Sequence, residues 1–242
     1  MSEGAIMVTE STPRQAPTLR GSIVLRAAAM ILLALGMMLP VGPARSDNPP
    51  AGIFIYAISR DGTLVGQQRM EFVADGEKLR VISRMQLDVT LLGMTIYSFD
   101  QQAEEVRAGN NNVLSLNSEA DDDGKKKEIS LSLQGDRLKG RYNKDTQRDL
   151  DPSFPTSLFW QKPAMGVTRV IDSVNGKARD VTVREVGTEA LALPIGKVIA
   201  HHYLVTGEME RELWYDEKGT LVAGQRKGPD GSIVRLELQQ RP

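Results

Sequence analysis

Apolar and polar residues alternate along several short stretches of this chain. The longest stretch runs from Leu79 to Val89. Most of its odd-numbered positions are apolar: Leu79, Val81, Met85, Leu87 and Val89. Most of its even-numbered positions are polar: Arg80, Arg84, Gln86 and Asp88. A second stretch alternates in the same way from Glu128 to Gln134. Because successive side chains of a β-strand point to opposite faces, this period predicts strands with one buried and one solvated face.

Pairs of turn-forming residues separate these stretches. They are Asp61-Gly62, Asp75-Gly76, Asp123-Gly124, Asn175-Gly176, Gly207-Glu208 and Asp230-Gly231. Asp-Gly and Asn-Gly tolerate positive φ and suit tight hairpins, so their recurrence predicts an antiparallel meander. The only helical candidates after the N-terminal segment are short turns at 153–160 and 162–166.

Many strands with one apolar face need something to cover that face, and the sequence offers no long helix to do so. The sheet must therefore curl on itself, or its concave face stays available to an apolar ligand or partner. We predict an all-β fold: an antiparallel meander forming a strongly curved sheet, half-barrel or barrel, with at most short helical turns.

The first 46 residues differ from the rest of the chain. A polar lead contains three arginines, and an apolar run of 13 residues extends from Ala27 to Leu39, where Pro40 ends it. Ala44 and Ser46 suit the positions before a signal-peptidase cut. An uncleaved anchor needs roughly 20 apolar residues. We therefore predict a signal peptide over 1–46 with cleavage after Ser46, an extended leader over 47–52, and one β-domain over 53–240 in the periplasm, without a membrane span.

Composition narrows the possible functions. The chain has no cysteine, which excludes a lipid-modified cysteine and disulfides as sources of anchoring or stability. Its net charge is −1, and charges of both signs are interleaved, so no basic field attracts nucleic acid. Composition says nothing about the oligomeric state.

The only two histidines are adjacent, at His201 and His202. Neighbours on a strand point to opposite faces, so the pair cannot hold one metal ion. If Gly207-Glu208 is a two-residue turn, Val205 lies opposite Glu210, Tyr203 opposite Glu212 and His201 opposite Trp214. A histidine beside carboxylates can act as a general base. The alternative is an ordinary strand histidine packed on an aromatic neighbour.

Other candidate chemistry is weak. The segment Glu119–Gly124 has calcium-loop spacing, but Ser130 stands where the bidentate glutamate belongs, and three lysines follow Gly124. A solvated hairpin tip explains the segment better. Ser157 lies in no Gly-x-Ser-x-Gly motif. We predict no metal site, no cofactor and no catalytic residue.

Aromatic residues are few, at 5% of the chain, and several cluster in two places. Phe154, Phe159 and Trp160 stand beside prolines in the middle of the chain, and Trp214-Tyr215 lies on a predicted strand. Such clusters form a packing centre or line a cavity mouth. The candidate ligand-binding residues are Trp160, His201, Tyr203, Trp214 and Tyr215.

The C-terminal third carries a recognisable pattern. It consists of His202-Tyr203-Leu204, Gly207, Leu213-Trp214-Tyr215-Asp216, Gly219 and Asp230-Gly231-Ser232. The chain from Ile53 to Leu238 thereby resembles an exported bacterial family, domain-of-unknown-function family 6134. The resemblance implies a periplasmic β-meander protein and assigns no catalytic residues.

These observations favour a non-catalytic binding or carrier protein for an apolar ligand or an envelope partner. One alternative is a hydrolase of envelope lipids or polymers that uses His201 with Glu210 or Glu212. Another is a structural accessory of an envelope complex.

Overall fold

The computed structural model describes residues 49–242, and this part of the chain is all-β. It contains 14 strands in one sheet. In chain order they are β1 (Gly52–Arg60), β2 (Thr63–Asp75), β3 (Lys78–Leu91), β4 (Met94–Arg107), β5 (Val113–Asp122), β6 (Lys125–Gln134), β7 (Arg137–Tyr142), β8 (Thr146–Leu150), β9 (Arg169–Ile171), β10 (Ala178–Leu193), β11 (Gly196–Gly207), β12 (Arg211–Asp216), β13 (Leu221–Lys227) and β14 (Ile233–Gln240). The predicted signal peptide and cleavage position lie outside the described residues.

The described residues contain none of the predicted helical turns; 153–160 and 162–166 form irregular turns instead. Over 49–242 there is accordingly no helix able to cross a membrane.

The sheet is an antiparallel meander with two arms. β1 to β8 follow one another on one side, β14 to β9 follow in reverse on the other, and β1 pairs with β14 at the centre. The predicted antiparallel meander is confirmed. The end strands β8 and β9 are not neighbours in the sheet, so it does not close into a barrel.

Two of the predicted hairpin turns, Asp61-Gly62 and Asp123-Gly124, form as the residue types require. Asp61 and Gly62 have φ of 48° and 81°, and Asp123 and Gly124 have φ of 53° and 80°. Positive φ at both central residues gives a turn whose twist matches that of the flanking strands. The Asp123-Gly124 turn also confirms that Glu119–Gly124 ends in a hairpin tip.

The turn after β11 is longer than predicted. β11 ends at Gly207 and β12 begins at Arg211, so three residues separate the strands instead of two. The prediction that His201 lies opposite Trp214 is therefore wrong: His202 pairs with Trp214 and His201 with Tyr215. A slip of one residue moves every side chain of the partner strand to the other face.

The two arms curve towards each other and share a core. The largest cluster of buried apolar residues draws on β1–β4 and on β9–β14. The Tyr56 hydroxyl donates to the carbonyl oxygen of Leu221 at 3.1 Å, and Ile171 of β9 packs with Leu116 and Ile129 of the opposite arm. Burial on one face of each strand thus gives the sheet its strong curvature.

The connection between β8 and β9 covers part of the concave face. Leu158, Phe159 and Trp160 are buried there, and the Tyr215 hydroxyl donates to the Phe159 carbonyl oxygen at 2.8 Å. Trp160 also meets the edge of Phe72 at 5.8 Å between ring centroids. This irregular segment therefore takes the covering role that helices have in other folds.

Candidate functional site

The antiparallel register aligns the inward-facing side chains of neighbouring strands into rows across the sheet. We call one of these the middle row, and it is apolar apart from two glycines. Its members are Leu213, Gly224, Leu236, Ile58, Gly66, Leu87 and Phe99.

A mouth row lies on one side of the middle row, and a floor row lies on the other. The mouth row is Arg211, Arg226, Val234, Arg60, Val89 and Tyr97. The floor row is Leu238, Tyr56, Gln68, Met85 and Gln101.

A cavity of about 380 Å³ occupies the space between these rows and the covering segment. Leu158 and Phe159 line it from that segment, and six of the seven middle-row residues line it from the sheet. A second concavity of about 470 Å³ lies beside Arg60 and Pro229 and shares lining residues with the first. The first cavity has both apolar and polar lining residues, and concave spaces of this kind are where proteins bind small ligands.

Polar side chains at the floor satisfy one another. Gln68 Nε2 donates to Ser83 Oγ at 2.8 Å, and Gln101 Nε2 donates to Ser118 Oγ at 3.0 Å and to the Ser173 carbonyl oxygen at 2.9 Å. A buried polar group that already has a hydrogen-bond partner in the protein needs none from a ligand. The floor therefore suits an apolar group.

The carboxylates around the cavity are also engaged. Asp122 accepts from Lys127 Nζ at 2.5 Å and from the Tyr97 hydroxyl at 2.8 Å, and Asp172 accepts from Arg179 Nη2 at 3.0 Å. The hydrogen bond from Lys127 lowers the pKa of Asp122. Burial, followed by the bond to Asp122, raises the pKa of Tyr97 to about 12, so both groups are held in one protonation state near neutral pH.

Two arginines of the mouth row are different. In the part of the chain that the structure describes, neither Arg211 nor Arg226 has a carboxylate within 4.0 Å. Arg211 donates to the carbonyl oxygen of Glu210 at 2.6 Å. Burial, followed by the charge of Arg226, lowers the pKa of Arg211 to about 10.

The residues predicted to bind ligand lie elsewhere. Trp160, Tyr203 and Tyr215 are buried in the core, and Tyr203 packs edge-on against Tyr215 at 5.9 Å. Trp214 lies on the opposite face of β12 from Leu213, which lines the cavity. None of the five, His201 included, contributes to the cavity wall, and their role in ligand binding stays a prediction.

The histidines have separate environments. His202 stacks on Trp214 at 4.4 Å and contacts Glu212 through Nε2 at 3.1 Å. His201 Nδ1 lies 3.0 Å from Glu185. The structure therefore does not bring His201 together with Glu212, because the predicted register was wrong by one residue.

Sequence reasoning missed Arg211 for the same reason, and Arg226 for another. A two-residue turn places Glu210 opposite Val205, whereas the structure pairs Val205 with Arg211. The sequence VAGQRK around Arg226 has no clear alternation that marks its inward face. A three-residue turn after Gly207, had it been predicted, would have placed Arg211 on the concave side.

The fold is shared with a solved structure whose TM-score is above 0.5. A beta-barrel-like protein of the domain-of-unknown-function family DUF1849 from Brucella abortus is 13% identical, with a TM-score of 0.53, over 78% of this chain and 98% of that chain. A candidate exported protein with a YmcC-like fold from Bacteroides fragilis is 12% identical, with a TM-score of 0.30, over 80% and 96% of the respective chains.

Among curated protein sequences, none is significantly similar to this chain. The model of the family described as domain of unknown function DUF6134 matches residues 56–239. This range takes in all but the outermost residues of the meander and agrees with the resemblance seen in the C-terminal pattern. The chain therefore belongs to the DUF6134 family.

Proposed function

We propose that this protein is a non-catalytic binding or carrier protein that holds an apolar ligand inside its curved sheet. The observation that carries the proposal is the cavity of about 380 Å³ with its apolar middle row. Its volume lies towards the lower end of the range of about 300–1,000 Å³ typical of small-molecule sites. Such a space accommodates one slender molecule.

The proposed place of action is the periplasm. The polar lead, the apolar run of Ala27–Leu39 and the small residues up to Ser46 have the order of a secretory signal. In this proposal residues 1–46 are removed, 47–52 form a leader, and 53–240 act as a single domain on an apolar molecule of the envelope.

The hydrogen bonds of the carboxylates beside the cavity favour a binding function over a catalytic one. Asp122 and Asp172 each accept hydrogen bonds from a cationic side chain. A general base needs a free lone pair within reach of the proton that it removes. These carboxylates hold the cavity wall together instead.

Gly224 allows the proposal to be tested by filling the cavity. A Cβ atom built there meets Leu213 Cδ2 at 3.7 Å and Leu236 Cβ at 3.8 Å, which are ordinary contact distances. A longer side chain at this position would extend into the space that a ligand needs. Gln102, which is exposed on the sheet, provides a control position at which the same residue, methionine, is introduced outside the cavity.

The experiment measures binding of the neutral fluorescent probe N-phenyl-1-naphthylamine to the wild type, Gly224→Met and Gln102→Met. We expect the wild type and Gln102→Met to bind alike and Gly224→Met to bind at least about tenfold more weakly, the equivalent of 1.4 kcal/mol. Native mass spectrometry of periplasmically purified protein would identify a retained ligand. Absence of probe binding to the wild type, or equal binding by Gly224→Met, would contradict the proposal.

A further inference from the structure

Arg211 of β12 and Arg226 of β13 are neighbours on adjacent strands and lie on the concave face. Glu212 pairs with Gln225 in the β12–β13 ladder, so the next step of the same register sets Arg211 beside Arg226. Both face inwards, because Arg211 pairs with Val205, and Arg226 pairs with Val234 of the cavity wall. Like charges directly opposite each other destabilise a sheet.

The surrounding acids do not neutralise this pair. Asp172 Oδ2 accepts from Arg179 Nε at 3.2 Å, from Arg179 Nη2 at 3.0 Å and from Asn175 Nδ2 at 2.8 Å. Asp122 is held by Lys127. Arg60, the third arginine of the mouth row, is paired with Asp230. The mouth row therefore carries two further cationic groups whose nearest acids already have partners.

Partial burial makes the unpaired charges costly. Both arginines are half-buried, and a charged group that leaves water is stabilised only by an opposite charge or by hydrogen bonds to its charged form. The pKa of Arg211 is lowered because burial and the charge of Arg226 both disfavour its charged form. An oxyanion placed between the two guanidinium groups would remove the repulsion and satisfy their donors.

The order of the rows defines the rest of the ligand. The arginines lie in the mouth row, and the apolar middle row begins one step further in, with Leu213 two residues from Arg211 and Gly224 two residues from Arg226. We infer that Arg211 and Arg226 bind the carboxylate or phosphate head of a single-chain anionic amphiphile, whose alkyl chain lies along the middle row. Guanidinium forks match both kinds of oxyanion. This inference rests on the proposed binding function.

The test uses displacement of bound N-phenyl-1-naphthylamine by three molecules with the same alkyl chain: dodecanoate, dodecyl phosphate and dodecanol. We expect one or both anions to displace the probe from the wild type at about tenfold lower concentration than dodecanol. The more potent anion identifies the head group. Arg211→Gln and Arg226→Gln should each reduce the potency of that anion by about tenfold or more, since each variant loses charge-assisted hydrogen bonds to the head group.

The controls separate a binding role from a structural one. Arg84→Gln removes the same charge from an exposed position and should leave displacement unchanged. Arg211→Lys keeps the positive charge but lacks the paired donors of a guanidinium, so it should retain part of the preference for the anions over dodecanol. Thermal unfolding confirms that each variant folds.

Two outcomes would overturn the inference. In one, dodecanol is as potent as both anions on the wild type; in the other, the arginine variants lose dodecanol and the anions equally. In either case probe binding to the wild type would leave the proposed function standing. Failure of the wild type to bind the probe would instead defeat the proposed function itself.

Discussion

Replacing Arg107 with methionine would leave a carboxylate buried without its cation. Arg107 and Glu105 both face inwards on β4, and their side chains are 3% and 0% exposed. Arg107 Nε donates to Glu105 Oε1, which also accepts from Trp160 Nε1 at 3.2 Å, and Thr156 donates to the other carboxylate oxygen. The pair therefore ties β4 to the segment that covers the concave face.

The expected cost of Arg107→Met follows from this burial. Removing one partner of a buried ion pair costs about 3–5 kcal/mol, because the remaining charge loses its compensation. This is a large part of the roughly 5–15 kcal/mol by which a typical domain is stable. The double variant Glu105→Leu/Arg107→Met removes both charges and should recover part of the loss, since buried ion pairs add little net stability over apolar residues of similar shape. Recovery is incomplete because Trp160 Nε1 and the Thr156 hydroxyl lose their acceptor.

Urea unfolding followed by circular dichroism would measure these differences. Arg80→Met is the matched control, because Arg80 and Glu104 form a 3.6 Å pair at positions with about half of each side chain exposed. An exposed pair of this kind contributes about 0–1 kcal/mol. The reasoning is refuted if Arg107→Met costs no more than Arg80→Met, or if the double variant is less stable than Arg107→Met alone.

Three further perturbations test separate parts of the fold. Gly140→Ala should lower the free energy of unfolding by about 1–3 kcal/mol in urea titrations, because its Cβ would lie 1.9 Å from a carbonyl oxygen of the neighbouring strand; unchanged stability would contradict this packing. Hydrogen bonds from Ser232, followed by the hydrogen bond and charge of Arg60, lower the pKa of Asp230 to about 2. Its stabilising contribution is therefore complete above the unfolded pKa of about 3.9 and is lost as the pH falls through about 2; Ser232→Ala should raise the Asp230 pKa in an NMR titration, and an unmoved pKa would count against the contact. His202→Ala should expose Trp214 to acrylamide quenching, because the imidazole stacks on the indole at 4.4 Å, whereas the same change at the neighbouring histidine should not.

Local pattern was sufficient for the class of fold. Alternation in Leu79–Val89 and Glu128–Gln134 corresponds to β3 and β6, and the Asp-Gly pairs at 61–62 and 123–124 form the turns expected of them. These features depend on neighbouring residues along the chain, because strand faces and tight turns are determined by backbone geometry over a few positions.

The candidate site depended on contacts that local pattern does not encode. One extra residue in the turn after Gly207 moved Arg211 to the concave face and paired His202, not His201, with Trp214. The aromatic residues singled out in the sequence pack the core, as large apolar side chains commonly do.

By itself, the sequence determined an antiparallel all-β meander of this family, and it predicts a signal segment before it. Only the tertiary structure decided that the sheet stays open between β8 and β9, that the segment around Trp160 covers its concave face, and that Arg211 lies beside Arg226 at the mouth of a cavity. The physical reason is one of range. Strand alternation is a local property, whereas a cavity and its charges arise from register and curvature summed over many strands.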